Sequence, residues 1–211
     1  MIEIVFVATL AVLAYTYVGY PTLIWVLAWR WPRKVHLGAY QPRVAVIVVA
    51  HNEAARIGRK LDTCIALDYP KESLRILVAS DGSDDETNEV VTAYADRGVT
   101  LLAFPVRRGK AACLNDAVAG SDGEIIVFTD ARQRLDAYAI RYLIENFADP
   151  AVGAVSGELV FQTEGMTDFG EGVDAYWRYE KFIRQQESRL HSVVGVTGAL
   201  YALRRECFRE I

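Results

Sequence analysis

Apolar residues follow two different patterns along this chain. From Ile4 to Trp29, twenty-six consecutive residues contain no Asp, Glu, Lys, Arg or His. An α-helix rises about 1.5 Å per residue, so a run of this length can cross the hydrocarbon core of a bilayer, which is about 30 Å thick. Beyond residue 43, short runs rich in β-branched residues alternate with amphipathic helical patterns. The first pattern predicts a membrane-spanning helix, and the second predicts a domain of alternating strands and helices.

The apolar run also allows two other interpretations, a buried core helix and a cleaved signal peptide. A signal peptide has a basic start, a shorter apolar stretch and a cleavage site made of small residues. Here Glu3 precedes the run, and the bulky residues Trp29 and Trp31 close it. We therefore predict a retained transmembrane helix over residues 1–31, which Pro21 can kink.

The segment after the apolar run is basic. It contains Arg30, Arg33 and Lys34, and positions 32–42 mix Pro, Gly and basic residues in the manner of a linker. The opposite end of the run offers only Glu3 and the terminal amine. Because Lys and Arg stay on the cytoplasmic side of a membrane, we expect the N-terminus to lie outside an inner or plasma membrane. The rest of the chain is then expected in the cytoplasm.

The alternating region predicts four units of a strand followed by a helix. The predicted strands cover residues 44–50, 74–80, 99–103 and 124–128, and the predicted helices cover residues 54–66, 86–97, 109–119 and 137–147. Repeated strand-then-helix order gives parallel strands joined by right-handed crossovers. We expect a mostly parallel, Rossmann-like α/β sheet with helices on both faces, in one domain over residues 43–211.

The alternation breaks in the last third of the chain. Residues 152–161 predict one or two strands, and residues 167–190 predict a long amphipathic helix. On that helix we expect a set of side chains to face the core: Tyr176, Tyr179, and Phe182 or Ile183.

Composition limits the partners of this chain. Its 23 Lys and Arg residues against 27 Asp and Glu residues give a formal net charge of −4 and a pI near 5.5. No basic excess is present to follow a nucleic-acid backbone, so we expect no nucleic-acid partner. The cysteines Cys64, Cys113 and Cys207 are widely spaced and form no C-x-x-C pair, which favours free thiols in a reducing compartment.

Charged residues stand directly after three of the predicted strands. Asp81 lies in VASDGSDDET, Lys110 in RRGKAACLN and Asp130 in VFTDAR. Open α/β sheets gather ligand groups at the carboxyl ends of their strands, and these positions therefore indicate a nucleotide-sugar site. The turn after the first strand reads AHNEAARIG and lacks the G-x-G-x-x-G of dinucleotide-binding folds, which argues against a nicotinamide dehydrogenase.

Six sequence pieces occur in one order: VIVVAHNEAARI, ALDYP, VASDGSDDET, RRGKAACLN, VFTDAR and GVTGALYALRR. With these pieces, the region from residue 42 to about residue 205 resembles the catalytic domain of the inverting family-two glycosyltransferases, which include cellulose, chitin and hyaluronan synthases. The resemblance implies a GT-A fold. It also implies transfer of a hexose from a nucleotide-sugar donor, linked to UDP, to the hydroxyl of a saccharide or lipid-linked acceptor with inversion. Such a reaction serves polysaccharide or glycoconjugate synthesis.

The resemblance implies a donor-side pocket built from several loops. Residues Ala50 to Glu53, including Asn52, would form its first wall, with Glu53 close to the nucleoside. Asp81 would contact the base, and Lys110 would contact the diphosphate. Ordinary structural roles are the alternatives: helix entry for Asn52 and Glu53, a turn for Asp81, and a solvated basic turn for Lys110.

Asp130 is the expected ligand of a divalent cation, Mg²⁺ or Mn²⁺. Breaking the bond between sugar and diphosphate places charge on the leaving group, and hard carboxylate oxygens hold the cation that stabilises this charge. Related enzymes carry Asp-x-Asp here, whereas this chain reads Asp130-Ala131-Arg132. Two interpretations follow. Either Asp130 alone anchors a metal that the diphosphate already bridges, or Arg132 partly replaces the charge of the metal.

The segment GVTGALYALRR resembles the acceptor side of the family's site, where Gly198 and Ala199 would lie beside the sugar. In the family, the aspartate that serves as general base follows this segment by some tens of residues. We therefore expect the base beyond Ile211 and interpret the chain as the front part of a longer protein. Alone, it should bind donor and transfer sugar very slowly, unless Glu158 or Asp174 serves as base. The alternative interpretation is a catalytically silent nucleotide-sugar binding or scaffold protein at the membrane.

Overall fold

The computed structural model describes residues 1–160 and 168–211, with side chains described outside residues 161–174. Within these residues the chain divides into two compact units. One unit comprises residues 1–34 and the described part of 161–195. The other comprises residues 35–160 and 196–211.

The first unit contains a continuous apolar helix, Ile2–Arg30. It consists of α1 (Ile2–Ala14), a π-helical segment (Tyr15–Gly19) and α2 (Tyr20–Arg30). Among the described residues it is the one helix that is long and apolar enough to cross a membrane, and most of its apolar side chains are exposed. The predicted N-terminal apolar helix is therefore confirmed as a helix.

Pro21 leaves a main-chain carbonyl in this helix without its usual donor. Proline has no N–H, so Tyr17 O cannot accept the bond that residue 21 would normally donate. The hydroxyl of Tyr179 donates to this carbonyl at 3.0 Å. Tyr179 belongs to α7 (Asp168–Leu190), which packs against α2. The helix thus accommodates Pro21 through the π-helical segment just before it, with α7 supplying the missing donor.

The covered side of α7 differs in part from the prediction. Tyr179 and Ile183 are half-buried, as expected. Of the alternatives Phe182 and Ile183, Phe182 is the exposed one. Tyr176 is exposed against the expectation, and the polar residue Gln186 is buried. Periodicity identifies an amphipathic helix, but the stripe that is covered depends on the helix that packs against it.

The second unit is built on a six-stranded sheet. Its strands are β1 (Val44–Ala50), β2 (Leu74–Asp81), β3 (Val99–Phe104), β4 (Ile125–Asp130), β5 (Ala154–Ser156) and β6 (Leu200–Arg204). Their order across the sheet is β3-β2-β1-β4-β6-β5. The first four are parallel, and β6 runs antiparallel to both β4 and β5. The expected mostly parallel, Rossmann-like sheet is confirmed, with antiparallel pairing at one side.

Helices cover both faces of this sheet. They are α3 (Ala54–Ile65), α4 (Thr87–Thr92), α5 (Lys110–Ala119) and α6 (Ala139–Ile144). The central strand β1 is buried on both faces, because Val46 and Val48 pack into the cluster with α3 and α6, and Ala45 and Ile47 pack into the cluster with α5. A near-continuous apolar run is what a strand covered on both faces requires.

Some predicted elements are shorter in the structure. The predicted helix over residues 86–97 divides into α4 and a 3-10 turn, Ala95–Arg97, which ends at Gly98 with a φ of +84°. The predicted helix over residues 137–147 likewise divides into α6 and a 3-10 turn. Of the one or two strands expected over residues 152–161, the described part contains one, β5.

Candidate functional site

The carboxyl ends of β1 to β4 lie along one edge of the sheet, and because β6 is antiparallel, its amino end lies at the same edge. From β1 the chain proceeds outward to β2 and β3, and then places β4 on the other side of β1. Open α/β sheets bind ligands at such a switch point, where neighbouring loops leave in opposite directions. The predicted site residues fall along this edge.

The loops of this edge approach one another closely. Gly82, directly after β2, has a φ of +61°. A Cβ at this position would clash with the main-chain nitrogen of Arg107 in the loop after β3. Asn52, after β1, has a φ of +54°, its Nδ2 donates to Asp84 Oδ1 at 2.6 Å, and its Oδ1 accepts the Asp84 N–H at 3.0 Å. Asn is one of the few residues that adopt this left-handed conformation readily. The helix-entry role does not hold for Asn52, because the N-cap position of α3 is Glu53.

Asp81 holds the loop that precedes α5. Its side chain is buried, its Oδ1 accepts the Arg108 N–H at 2.6 Å, and its Oδ2 accepts the Gly109 N–H at 3.0 Å. Burial raises the pKa of this carboxyl, but the two N–H groups, the Cys113 thiol and the Arg107 charge together hold the pKa below its usual value. Asp81 is therefore ionised at neutral pH and ties β2 to the start of α5.

Lys110 and Asp130 meet at this edge. Lys110 is the first residue of α5, and its Nζ donates to Asp130 Oδ1 at 2.6 Å. The two side chains are 58% and 36% exposed. An ion pair with this much exposure is worth about 0 to 1 kcal/mol, so it can exchange partners easily. The structure thus brings two of the predicted site residues into direct contact, one from β4 and one from α5.

Glu53 links the loops on the two sides of the switch point. Its carboxylate is buried, its Oε1 accepts from Arg132 Nε at 2.8 Å, and its Oε2 accepts from Arg56 Nη1 at 3.3 Å. Burial raises the pKa of Glu53, but Arg132 and Arg56 outweigh it and lower the pKa overall. This pairing is not among the contacts that the sequence predicts, and it holds the loop after β1 against the loop after β4.

The remaining predicted residues lie beside these groups. Ala50 has its side chain in the hydrophobic core, so only its main chain borders the edge. Ala199 O accepts the Thr129 hydroxyl at 2.9 Å, which fastens the predicted acceptor segment to β4. Gly198 has open space where a Cβ would stand. Ala199 of the predicted acceptor segment therefore lies next to the end of β4.

A metal ion would find few protein ligands at this edge. The described residues contain no group of three or more His, Cys, Asp or Glu side chains that could enclose one. Asp130 offers a single carboxylate, of which Oδ1 pairs with Lys110 and Oδ2 has no hydrogen-bond partner within the described part of the chain. Mg²⁺ is commonly held by one or two carboxylates together with substrate phosphates and waters. The chemistry of Asp130 therefore fits a metal held in this way.

Lys60 is a neighbour of the site that the sequence analysis missed. It is buried on the apolar face of α3, and its Nζ donates to Thr129 Oγ1 at 2.7 Å and to Gln133 O at 3.0 Å. Its spacing from the buried residues Ile57 and Cys64, three and four positions away, was the available signal. A charged residue on an apolar helical stripe indicates a buried polar contact.

Sequence comparison decides the family. The profile described as "Glycosyl transferase family 2" matches residues 45–211. This chain belongs to glycosyl transferase family 2. The probable glycosyltransferase YdaM of Bacillus subtilis is 32% identical over 123 residues, which cover 56% of this chain and 29% of that relative. The beta-monoglucosyldiacylglycerol synthase of Synechocystis sp. is 26% identical over 167 residues, which cover 77% of this chain and 33% of that relative.

A solved structure agrees with this assignment. The mannosyltransferase PcManGT from Pyrobaculum calidifontis, in complex with GDP-Man and Mn²⁺, superposes with a TM-score of 0.75 at 33% identity, over 93% of this chain and 55% of that chain. The family and the GT-A fold implied by the sequence resemblance are confirmed. The present chain spans a third or less of the length of the two curated relatives.

Proposed function

We propose that this chain carries the donor site of an inverting hexosyltransferase. It would move a hexose from a nucleoside diphosphate sugar to a hydroxyl of a saccharide or lipid-linked acceptor. The observation that carries the proposal is the contact of Lys110 with Asp130, at 2.6 Å, at the switch point of the sheet. A cationic side chain and a metal ligand together can neutralise a diphosphate, and Lys110 and Asp130 are residues of these two kinds. Membership of glycosyl transferase family 2 supports the same class of reaction.

Lys110 and the N-terminus of α5 bind the diphosphate in this proposal. The first turn of a helix presents unpaired N–H groups and the positive end of the helix dipole, both of which favour a phosphate. Lys110 already stands in this turn, and its exposed pair with Asp130 costs little to open. When a phosphate replaces Asp130 as the partner of Lys110, both carboxylate oxygens of Asp130 become available to a cation.

The cation we propose is Mg²⁺ or Mn²⁺, held by Asp130, the diphosphate and water. When bound, it supplies a Lewis acid that stabilises the charge on the leaving diphosphate. Arg132 donates to the buried Glu53 carboxylate, and we propose that it stays there and orders the loop after β4. The mannosyltransferase of Pyrobaculum calidifontis was solved with GDP-Man and Mn²⁺, which supports a metal over Arg132 as the neutralising charge.

The nucleoside end of the donor lies along the loops after β1 and β2 in this proposal. The main chain of Ala50 and the side chains of Asn52 and Glu53 form one wall. Asp81 fixes the adjoining loop, and because a carboxylate offers about four acceptor positions, it can also accept an N–H of the base. We propose uracil as that base, and hence a UDP-linked sugar as the donor.

The acceptor must lose a proton during the displacement, and a general base has to take it. We propose that this base lies beyond Ile211, since the chain spans a third or less of the curated relatives it matches. Glu158 and Asp174 are the two acids that could serve as base within this chain. The structure describes Glu158, whereas the side chain of Asp174 lies outside the described residues. The 211 residues alone would then bind donor and transfer sugar very slowly. No turnover by a longer product of the gene would favour a catalytically silent donor-binding protein instead.

The 211-residue chain should bind uridine diphosphate more tightly than NAD. The turn after β1 has no glycine-rich cradle for a pyrophosphate, and Asn52 is engaged with Asp84 there. We expect a difference of about tenfold or more, equivalent to about 1.4 kcal/mol, in calorimetric titrations with Mn²⁺ present. Uridine serves as the control that lacks phosphates and should bind more weakly than its diphosphate. Equal affinities for NAD and uridine diphosphate would refute the donor site and favour an oxidoreductase.

We also propose a membrane arrangement. Residues 1–31 would span an inner or plasma membrane, residues 32–42 would form a basic linker, and residues 43–211 would form the catalytic domain on the cytoplasmic side, except that α7 packs against α2 and reaches Tyr17 within the span. The apolar helix Ile2–Arg30 supports the span. The basic residues that follow it support the orientation, since Lys and Arg resist translocation.

A reporter protein fused after Ile211 should therefore lie in the cytoplasm. A reporter that is active only in the cytoplasm and one that is active only outside it provide complementary readouts. Replacing Arg30, Arg33 and Lys34 with Gln, together with Glu3→Lys, reverses the charge difference across the span and should move a measurable share of the reporter outward. Activity of the parent fusion on the outer side alone would contradict the proposed orientation.

A further inference from the structure

Lys60 is a fully buried lysine, with 1% of its surface exposed, in the middle of α3. Its neighbours on the same helical face, Ile57, Leu61 and Cys64, are all buried and all belong to the hydrophobic core. An ammonium group in such surroundings is costly unless hydrogen bonds compensate it. An apolar residue of similar length would fill the same space without that cost, so the ammonium calls for an explanation other than packing.

The ammonium of Lys60 connects the end of strand β4 to the loop that follows it. Its Nζ donates to Thr129 Oγ1 at 2.7 Å, and Thr129 directly precedes Asp130. It also donates to Gln133 O at 3.0 Å, one residue beyond Arg132. Lys60 therefore donates hydrogen bonds to the residues on both sides of the Asp130-Ala131-Arg132 turn.

The same contact extends to the segment before β6. The Thr129 hydroxyl accepts from Lys60 and donates its own proton to Ala199 O at 2.9 Å. The Asp130 N–H points to the same carbonyl, at 3.4 Å. One carbonyl thus receives both the hydroxyl and the adjacent main-chain N–H. A chain of bonds runs from the ammonium through the hydroxyl to Ala199 in the predicted acceptor segment. Bonds in such a chain strengthen one another in a dry interior.

We propose that Lys60 is a positioning residue that fixes Asp130, Arg132 and the Gly198–Ala199 segment relative to one another. Its ammonium touches none of the groups that would meet the donor, and it acts through Thr129 and Gln133. In the context of the proposed function, it holds the metal ligand and the acceptor side in register. The catalytic part of this inference rests on that proposed function, whereas the ordering of the segments does not.

The first test replaces the ammonium while keeping the length of the side chain, as Lys60→Met. Loss of two bonds to a charged group should speed amide hydrogen exchange about tenfold or more in residues 131–138 and 197–199, and leave β1 and β2 unchanged. Lys71→Met is the matched control. Lys71 Nζ also donates to two main-chain carbonyls, Ile65 O at 2.5 Å and Leu67 O at 3.1 Å, but at the C-terminal end of α3.

The second test concerns the relay through Thr129. Thr129→Val keeps the shape of the side chain and removes the hydroxyl, so it should speed exchange in residues 197–199 as Lys60→Met does, although the bond from Lys60 to Gln133 O remains. Thr129→Ser restores the hydroxyl and should return exchange to within about twofold of the parent. The effect of the double variant Lys60→Met, Thr129→Val should be smaller than the sum of the two single effects, because both changes remove the bond between Lys60 and Thr129. If Lys60→Met does not fold, the contrast between Thr129→Val and Thr129→Ser still tests whether the bonds through Thr129 order these segments.

The third measurement separates positioning from general stability. In calorimetric titrations with uridine diphosphate, Lys60→Met should reduce the affinity gained from Mn²⁺ about tenfold and leave the affinity without metal within about twofold. Unchanged exchange in residues 131–138 and 197–199 would overturn the proposal. Faster exchange with an unchanged metal increment would also overturn it, since Lys60 would then act only as a stabiliser. If the parent binds no nucleotide at all, the proposed function fails, and the exchange contrast between Thr129→Val and Thr129→Ser still decides the positioning role.

Discussion

Replacing Asp130 with Asn should remove most of the gain in uridine diphosphate affinity that Mn²⁺ or Mg²⁺ produces. Asp130 stands at the carboxyl end of β4, and its Oδ2 has no hydrogen-bond partner in the described part of the chain. An amide oxygen is a weaker ligand because it carries no formal charge. Loss of an outer partner of a metal ligand already costs about 10- to 100-fold in metal affinity, so loss of the ligand itself should cost at least as much.

The affinity for uridine diphosphate measured without metal should not fall in Asp130→Asn. Lys110 donates to Asp130 at 2.6 Å, and Asn in place of Asp130 frees its ammonium for the diphosphate. Metal-free binding should therefore be equal to that of the parent or tighter. A general structural defect would weaken both measurements, so this split identifies the metal as the cause.

Asp122→Asn is the matched control for this substitution. Asp122 is exposed and pairs with Arg43 at 3.5 Å, near the amino ends of β1 and β4. Its replacement should leave both titrations unchanged, since it lies at the opposite end of these strands. A parent whose affinity does not depend on metal would overturn the assignment of Asp130 and favour Arg132 as the neutralising charge.

Replacing Asp81 with Ala should weaken both the fold and nucleotide binding. The Asp81 carboxylate is 3% exposed and accepts the N–H groups of Arg108 and Gly109. Its loss leaves these donors without a partner and releases the start of α5, where Lys110 stands. We expect a decrease of about 1.5 to 3 kcal/mol in the free energy of unfolding, the range for a hydrogen bond to a charged group. Affinity for uridine diphosphate should fall as well.

The control for Asp81 is Asp62→Ala. Asp62 is an exposed aspartate on α3 that pairs with Arg97 at 3.2 Å. An exposed pair of this kind contributes about 0 to 1 kcal/mol, and it lies away from the switch point. Urea unfolding and calorimetric titration of the three proteins measure both effects. Nucleotide affinity of Asp81→Ala equal to that of the parent would remove Asp81 from the site, whatever its effect on stability.

The stabilisation by Asp81 should depend on pH in a predictable direction. Its pKa is lower in the folded protein than the ordinary value of 3.8, because the Arg108 and Gly109 N–H groups, the Cys113 thiol and the Arg107 charge outweigh the effect of burial. The unfolded chain therefore binds a proton first as the pH falls. The contribution is present in full above about pH 5 and is lost as the pH falls through the lower folded pKa. The difference in stability between parent and Asp81→Ala should shrink progressively as the pH falls below about 4.

Local sequence determined most of the strand and helix positions. The central strand was predicted over residues 44–50 and occupies Val44–Ala50, because a continuous β-branched run bounded by polar residues has few alternatives. The start of α5 was predicted one residue early, at Gly109, whose φ of +91° places it outside the helix as the N-cap. The positions of Asp81, Lys110 and Asp130 after strands followed from the same patterns. These features depend on residues that are neighbours in the sequence.

Tertiary structure alone decided how the groups of the site pair. Glu53 and Arg132 are 79 positions apart, and Lys60 and Thr129 are 69 positions apart, yet each pair is in direct contact. Strand β6 enters the sheet between β4 and β5 in the antiparallel direction, which brings Ala199 to the end of β4. Periodicity is a local property and specifies which face of an element is apolar. It does not specify which distant element covers that face, and a buried charge is tolerated only where the fold supplies its partners.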